Sequence, residues 1–352
     1  MRKRTRPLRT VLSATAVTVL VVVVGLFVGS HELGGARVAA GDASAAAGSE
    51  EASDAPTSSL PSPEQTARKA TLLAVARQVT LHARPHHPDK KKPTPAPTLD
   101  FVISSFNALG ASHTAGGGSH GRYASGSLRA RWAAQILAIH DVDVVGFQEL
   151  QTVQLRSFLA ATGGAYDVYP GDSLGSLGAE NSIGWRRDTW QLVSADTVSI
   201  PYFGGHRRPM PYVLLRNPAT GLEAWFANFH NPADTGSHPH QQRWRSAATA
   251  VEVGLANRLA GTGKPVFVTG DMNARDGYFC AMTGGAPMIS ASGGSNEGAC
   301  RPPRDWYVDW IFGSQGVTFS AYAENRGPLV RRTTDHPVIV STAHLTGAGA
   351  AD

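Results

Sequence analysis

Asp271 and Asn273 close the stretch V-F-V-T-G-D-M-N, in which Val266, Phe267 and Val268 read as a buried strand. Two residues apart on an extended tip, their side chains lie on one side of the chain. A carboxylate and an amide so placed can face one small polar group. Other polar residues repeat the pattern. Asn107 ends F-V-I-S-S-F-N, Glu149 follows V-D-V-V-G-F-Q and His230 ends A-W-F-A-N-F-H. Asp309 lies inside Y-V-D-W-I-F, and Asp335-His336 comes directly before P-V-I-V. Acids and amides can hold a hard divalent cation, and an acid beside an imidazole can handle a proton.

Most of these residues also have an ordinary structural explanation. Asn107 can cap a turn, Glu149 can cap the helix after it, and Asp335 before His336-Pro337 suits an Asx turn. His230 before Asn231-Pro232 fits a loop. Asp309 is different, because a carboxylate between Val308 and Trp310 in an apolar strand needs a partner. No Walker P-loop is present, and paired Cys and His ligands of a zinc site are lacking.

The elements that must position these residues are mainly short strands. Runs at 101–107, 142–147, 182–186, 191–200, 211–216, 222–229, 266–268, 307–312, 317–322 and 337–340 read as strands. Helical spacing of Leu128, Trp132, Ile136 and Ile139 marks 127–140 as a helix, and 153–161 and 241–259 are further candidates. Many strands and few helices, on both sides of one long helix, imply a two-sheet α/β sandwich beginning near Leu99. Trp185, Trp190 and Trp225 alternate with polar residues and read as core. Cys280 and Cys300 fall in what reads as one loop region.

The first 98 residues have another character. They hold 13 Lys and Arg against 7 Asp and Glu, whereas residues 99–352 hold 19 against 20. The basic balance therefore describes this N-terminal part and not a nucleic-acid surface. Five basic residues at positions 2–9 precede Val11 to Gly29, 19 uncharged and largely apolar residues. That pattern suits an uncleaved signal anchor at 1–30, with a cleaved signal peptide as the alternative given the small residues at 38–40. Residues 31–98 read as an Ala/Gly/Ser/Pro-rich linker ending in Lys90-Lys91-Lys92 and a stiff P-T-P-A-P. On either reading the folded part, 99–345, with its 346–352 tail, is expected outside the cytoplasm, in the cell membrane or secreted. There two cysteines are expected to pair, so Cys280–Cys300 is the expected disulfide.

In order, N, Q-E, N-x-H, G-D-x-N, D-W-I-F and T-D-H resemble the endonuclease/exonuclease/phosphatase superfamily, over about residues 99–345. It includes DNase I-like nucleases, abasic-site endonucleases, inositol-polyphosphate phosphatases and neutral sphingomyelinases. The chain departs from it in having His230-Asn231-Pro232 where many members have H-L, and in a long Gly-, Ser- and His-rich loop after Asn107.

The resemblance implies a four-layered α/β sandwich, two packed and mostly antiparallel sheets flanked by helices, with the site at one edge. It implies that Glu149 binds Mg²⁺ (or Mn²⁺) with Asn107 beside it and Asp335 in the metal shell. Asp271 would orient or deprotonate the attacking water, and Asn273 would hold a phosphate oxygen. Asp309 would fix the tautomer of His336, and His230 would contact the phosphate or help the leaving group. A phosphodiester repels hydroxide, so its oxygens need positive charge. Residues 99–352 contain 18 Arg and 1 Lys, and Arg207-Arg208 read as a loop pair that can overhang the site. The expected activity is hydrolysis of a phosphodiester of nuclease type, with DNA a candidate substrate. Lipid-headgroup phosphodiesterase, phosphomonoesterase on small molecules, and an inactive binding module are the alternatives. Nothing in the sequence calls for an obligate protein partner.

Overall fold

Runs rich in Val, Ile and Phe supply the central strands of two six-stranded sheets. The structure is a computed structural model that describes residues 95–304, 308–314 and 316–347. The expected anchor, nearly all of the linker, Tyr307 and residues 348–352 lie outside the described residues. Among those described, no helix is long and apolar enough to cross a membrane.

In chain order the strands are β1 (Thr98–Asn107), β2 (Val144–Gln148), β3 (Tyr166–Tyr169), β4 (Asn181–Arg186), β5 (Gln191–Pro201) and β6 (Arg207–Arg216). They continue with β7 (Glu223–His230), β8 (Val266–Asp271), β9 (Met288–Ser290), β10 (Asp309–Ser314), β11 (Thr318–Asn325) and β12 (Val338–Thr346). One sheet runs β11-β12-β1-β2-β4-β3, the other β5-β6-β7-β8-β10-β9. The α-helices are α1 (Ala111–Thr114), α2 (Gly126–Ile139), α3 (Thr152–Ala161), α4 (Gly175–Ala179), α5 (Gln242–Ala260), α6 (Asp276–Gly285) and α7 (Pro328–Thr333). The sequence suggested few helices. α1, α4 and α7 are too short to show a periodic apolar face, and α6 lies in a segment read as loop. Cys280 therefore sits in a helix.

The expected two-sheet sandwich flanked by helices is observed. Ala133, Ile136, Leu137 and Phe158 of α2 and α3 cover the outer face of the first sheet. Ala248, Leu255, Phe279 and Met282 of α5 and α6 cover the second. Between the sheets, Phe101 contacts Trp190, Phe226 and Phe267 at centroid distances of 5.1, 5.8 and 5.2 Å. Truncating one such ring costs about 3–5 kcal/mol. Trp185 and Trp190 are core, as expected, whereas Trp225 is half-buried.

Each sheet contains one parallel pair, β1 with β2 and β7 with β8, crossed over by α2 and α5 respectively. Their paired ends are Asn107 opposite Gln148 and His230 opposite Asp271. β10 is antiparallel to β8 and starts with Asp309 opposite Asp271, while β12, antiparallel to β1, starts just after His336. A polar seam joins the sheets behind this edge. The Gln148 amide donates to Asn228 Oδ1 at 2.7 Å, and the Thr269 hydroxyl donates to the same oxygen at 3.1 Å. Gly146 makes the approach possible, because a Cβ there would lie 1.9 Å from Thr269 Oγ1.

Candidate active site

Asn107 reaches across the edge. Its Nδ2 donates to Glu149 Oε1 at 3.2 Å and to Asp271 Oδ2 at 3.1 Å, so one amide joins a carboxylate from each sheet. The Leu109 N–H donates to Asn107 Oδ1 and sets which way the amide faces. Leu109, Glu149 and Asn273 all have positive φ, at 50°, 59° and 46°. Such conformations cost about 1–3 kcal/mol each and persist only where the surroundings dictate them.

Asp309 and His336 are paired as expected, with His336 Nδ1 at 3.0 and 3.1 Å from the two carboxylate oxygens. His336 Nε2 lies 3.7 Å from Asp271 Oδ2, and His230 Nε2 lies 3.6 Å from the same oxygen. Burial alone would push the His336 imidazole down, but Asp309 and Asp271 outweigh it and hold this pKa well above its ordinary value. Burial pushes His230 down, against the opposing pull of Asp271 and Glu149. Burial pushes Asp271 up, against the pull of His336. Burial also opposes charge on Glu149, but His113, His230 and the Gly110 N–H together hold its carboxyl well below the usual range. Asp271, Asp309 and His336 bring one ligand atom each to within 4.8 Å of one another.

Asn273 stands beside this group. Its N–H donates to Asp271 Oδ1 at 2.9 Å and its side-chain amide donates to the Asn231 carbonyl at 2.8 Å. Asp335 faces His120 at 3.3 Å and is close enough to His113 to act on its charge. Arg207 and Arg208 are not in a loop but begin β6, where alternation sends them to opposite faces. Only Arg208 borders the site: its guanidinium lies 4.4 Å above the Tyr202 ring, pairs with Glu180 and acts on His230. Arg207 is exposed and donates to the Ser199 carbonyl. Cys280 and Cys300 form the expected disulfide.

The sequence marked the Gly-, Ser- and His-rich loop after Asn107 as a departure from the family but did not single out its histidines. His113 Nε2 lies 3.3 Å from Glu149 Oε2, and the Ser119 hydroxyl lies 2.8 Å from His120 Nδ1 and 3.4 Å from His113 Nδ1. Two histidines seven residues apart were the available signal. Arg129 anchors this loop from inside: it is fully buried and donates to the carbonyls of Ala108, Gly110, Ala124 and Thr333. The pentapeptide G-D-S-L-G at 171–175 has the spacing of a serine-hydrolase elbow. Ser173 lies in a 3₁₀ turn, however, and its hydroxyl donates to the Pro170 carbonyl.

The model of the endonuclease/exonuclease/phosphatase family matches residues 104–336. No curated protein sequence matches. Among solved structures, an endonuclease/exonuclease/phosphatase family protein from Bacteroides thetaiotaomicron is 16% identical with a TM-score of 0.57, over 70% of this chain and 98% of that one. A mannosyl-6-phosphatase from the same organism is 19% identical with a TM-score of 0.55, over 69% and 99%. The human Nocturnin catalytic domain with bound sulfate is 16% identical with a TM-score of 0.53, over 71% and 97%. At these identities the likeness is one of fold.

Proposed function

This chain belongs to the endonuclease/exonuclease/phosphatase family and is a phosphoester hydrolase, and from that premise we propose a divalent-metal-dependent phosphodiesterase of nuclease type, acting outside the cytoplasm. The observation that carries the reading is the Asn107 amide bridging Glu149 and Asp271, with His336 set between Asp271 and Asp309.

The family implies a divalent cation, and the donors fit one. Oxygens dominate the edge, and Glu149 keeps its charge with an imidazole as its ion-pair partner. Glu149 would hold Mg²⁺ or Mn²⁺ with Asp335 joining its shell, Asn107 would stand beside it and hold the Glu149 and Asp271 carboxylates through its NH2 group, and Asp271, Asp309 and His336 are left for proton work. A cation held there would supply positive charge to the phosphate oxygens and Lewis acidity to the attacking water.

In this reading Asp271 Oδ2 orients the attacking water and accepts its proton, a task helped by a carboxyl raised above the ordinary range. Asp309 accepts the Nδ1–H of His336 and leaves Nε2–H facing the edge. The protonated imidazole then stabilises the phosphate charge or protonates the leaving oxygen. His230, kept neutral by burial, donates one hydrogen bond to a phosphate oxygen. Asn273 has a second amide hydrogen for another. Fixed cations are scarce at the edge, where Arg208 is already paired with Glu180. A singly charged diester suits that better than a dianionic monoester. The disulfide and the Arg-flanked apolar run at 11–29 support a site outside the cytoplasm.

The test is hydrolysis by the full-length chain of plasmid DNA, RNA, sphingomyelin and a generic phosphodiester, with Mg²⁺ and with chelator. DNA cleavage that chelator abolishes is the expected outcome. Hydrolysis of sphingomyelin alone would replace nuclease with lipid phosphodiesterase, and full activity in excess chelator would end the metal reading.

A further inference from the structure

The loop after Asn107, where the chain departs from its family, sets two imidazoles against the two carboxylates that the proposed function gives to the cation. His113 Nε2 lies 3.3 Å from Glu149 Oε2, and His120 Nε2 lies 3.3 Å from Asp335 Oδ2. Two ligand atoms about 2.1 Å from one metal ion stand about 3.0 Å apart at a right angle and about 3.4 Å apart at a tetrahedral one. Both separations fall inside that interval.

The loop is built to hold the two rings. The Ala111 and Ser112 N–H groups donate to Gln154 Oε1 and Gln151 Oε1, each at 2.8 Å, and Arg129 donates to the Thr114 hydroxyl at 3.3 Å. The His120 N–H donates to the His113 carbonyl at 2.8 Å and closes the loop on itself. Gly118 lies so close to that carbonyl that a Cβ there would sit 2.3 Å from its oxygen. The rings meet edge to face with centroids 5.8 Å apart, and Ser119 Oγ is 2.8 Å from His120 Nδ1 and 3.4 Å from His113 Nδ1. One hydroxyl oxygen can accept from both Nδ1–H groups. That bond sets each ring in the tautomer whose Nε2 lone pair faces the carboxylate, the support that metal-ligating histidines usually have.

We propose that His113 and His120 are ligands of the same cation as Glu149 and Asp335, which makes the edge a two-nitrogen, two-carboxylate site that selects Zn²⁺ over Mg²⁺. The proposal rests on the metal reading of this edge and names the metal more closely. Imidazole suits zinc, whereas Mg²⁺ takes oxygen ligands and keeps its waters. The four ligands come from three separate stretches of sequence, so no compact zinc spacing announces them. In the structure they stand as two pairs, and among the described residues only Asp271, Asp309 and His336 bring three ligand atoms within 4.8 Å of one another. Binding must draw the pairs together. Both imidazoles are half-buried, and between them a Cβ at Gly116 or Gly117 would meet nothing within 4 Å, so that stretch has room to move.

The experiment is calorimetry on the full-length chain, stripped with chelator, with zinc chloride and with magnesium chloride and no substrate. Loss of an outer-shell partner already weakens metal binding by about 10–100-fold. His113→Ala with His120→Ala should therefore weaken Zn²⁺ binding by about hundredfold or more, and Mg²⁺ binding far less. His113→Gln with His120→Gln keeps polar side chains on the loop and should lose Zn²⁺ equally, which separates ligation from a folding defect. Co²⁺ in place of zinc gives a second readout, because its visible spectrum should pass from four-coordinate to water-rich and six-coordinate in both variants. A Zn²⁺ affinity that falls by less than about tenfold, or by no more than that of Mg²⁺, overturns the proposal, and so does an unchanged cobalt spectrum. The metal reading of the edge still stands in those cases if Glu149→Gln weakens Mg²⁺ binding. If Glu149→Gln binds both metals as the wild type does, that reading fails and this proposal falls with it.

Discussion

Glu149 and Asp271 hold matching places in the two sheets. Each lies at the C-terminal end of the second strand of a parallel pair, and Asn107 donates to both. Their charges are governed in opposite ways. The Glu149 side chain is 24% exposed and gathers His113 and the Gly110 N–H, which hold its carboxyl down. The Asp271 side chain is 2% exposed, and burial pushes its carboxyl up. Position alone therefore does not assign a role. In the proposed function these surroundings would keep one carboxylate ready to be a ligand and the other ready to accept a proton.

The comparison breaks most sharply at Asp271. Asp271→Asn should lower kcat/KM on a phosphodiester by about 10² to 10⁴, the range for lost acid–base assistance, with far-UV circular dichroism unchanged. Asp309→Ala should fall by about 10² or more, because His336 loses the partner of its Nδ1. Either variant keeping wild-type turnover would remove the proton role from the buried side. Glu149→Gln should act differently, weakening Mg²⁺ or Mn²⁺ binding in calorimetry by about tenfold or more. Unchanged metal affinity there would move the cation to Asp271, Asp309 and His336.

How the two sides could be read from sequence also differs. Asp309 was legible because an acid inside Val308-Asp-Trp310 has few bland explanations, and the paired His336 followed from the resemblance. The sandwich was legible from strand runs whose ends carry polar residues. The Glu149 side was half legible: the acid was found, but its partner His113 lies in a Gly-rich loop where no periodicity operates. Arg129 was missed because a helical arginine reads as solvated, and only the structure reveals four carbonyls around it. Arg207 and Arg208 were misplaced because Gly204-Gly205 made the start of a strand look like a loop. Gly146 was not legible, since what constrains it is the other sheet, and Asn228 was visible only as the first residue of N-x-H, without its role as the shared acceptor of the seam.

The second sheet's side is also the stapled one. Reducing or replacing Cys280–Cys300 should lower stability by about 3 kcal/mol, the chain-entropy value for a loop of this length. Of the two sheets only the edge strand β9 lies inside the loop this bond closes, so turnover of a generic phosphodiester should persist below the lowered melting temperature. A Cys280→Ser, Cys300→Ser variant that melts with the wild type would mean that α6 and β9 hold the segment without help.

If burial governs this side, its reach should extend behind the site, and Glu252 is where to look. It is fully buried in α5 with Tyr278 and Asn231 as polar neighbours. Asn231 in turn donates its N–H to the Asp271 carbonyl and accepts from Asn273. Burial pushes the Glu252 carboxyl up to about 7, from an ordinary 4.5. Between those values the folded chain keeps a proton that the unfolded chain has lost. Stability is therefore fully present below about pH 4.5 and falls as pH rises towards 7, by at most about 1.4 kcal/mol per pH unit, then levels off. Glu252→Gln carries no such proton, so its stability should be flatter across the window and should exceed that of the wild type above it. Urea midpoints for both proteins, taken from about pH 5 to about pH 8, measure the difference directly. Parallel curves would mean that Glu252 ionises without penalty, and that the burial acting on Asp271 stops at the edge itself.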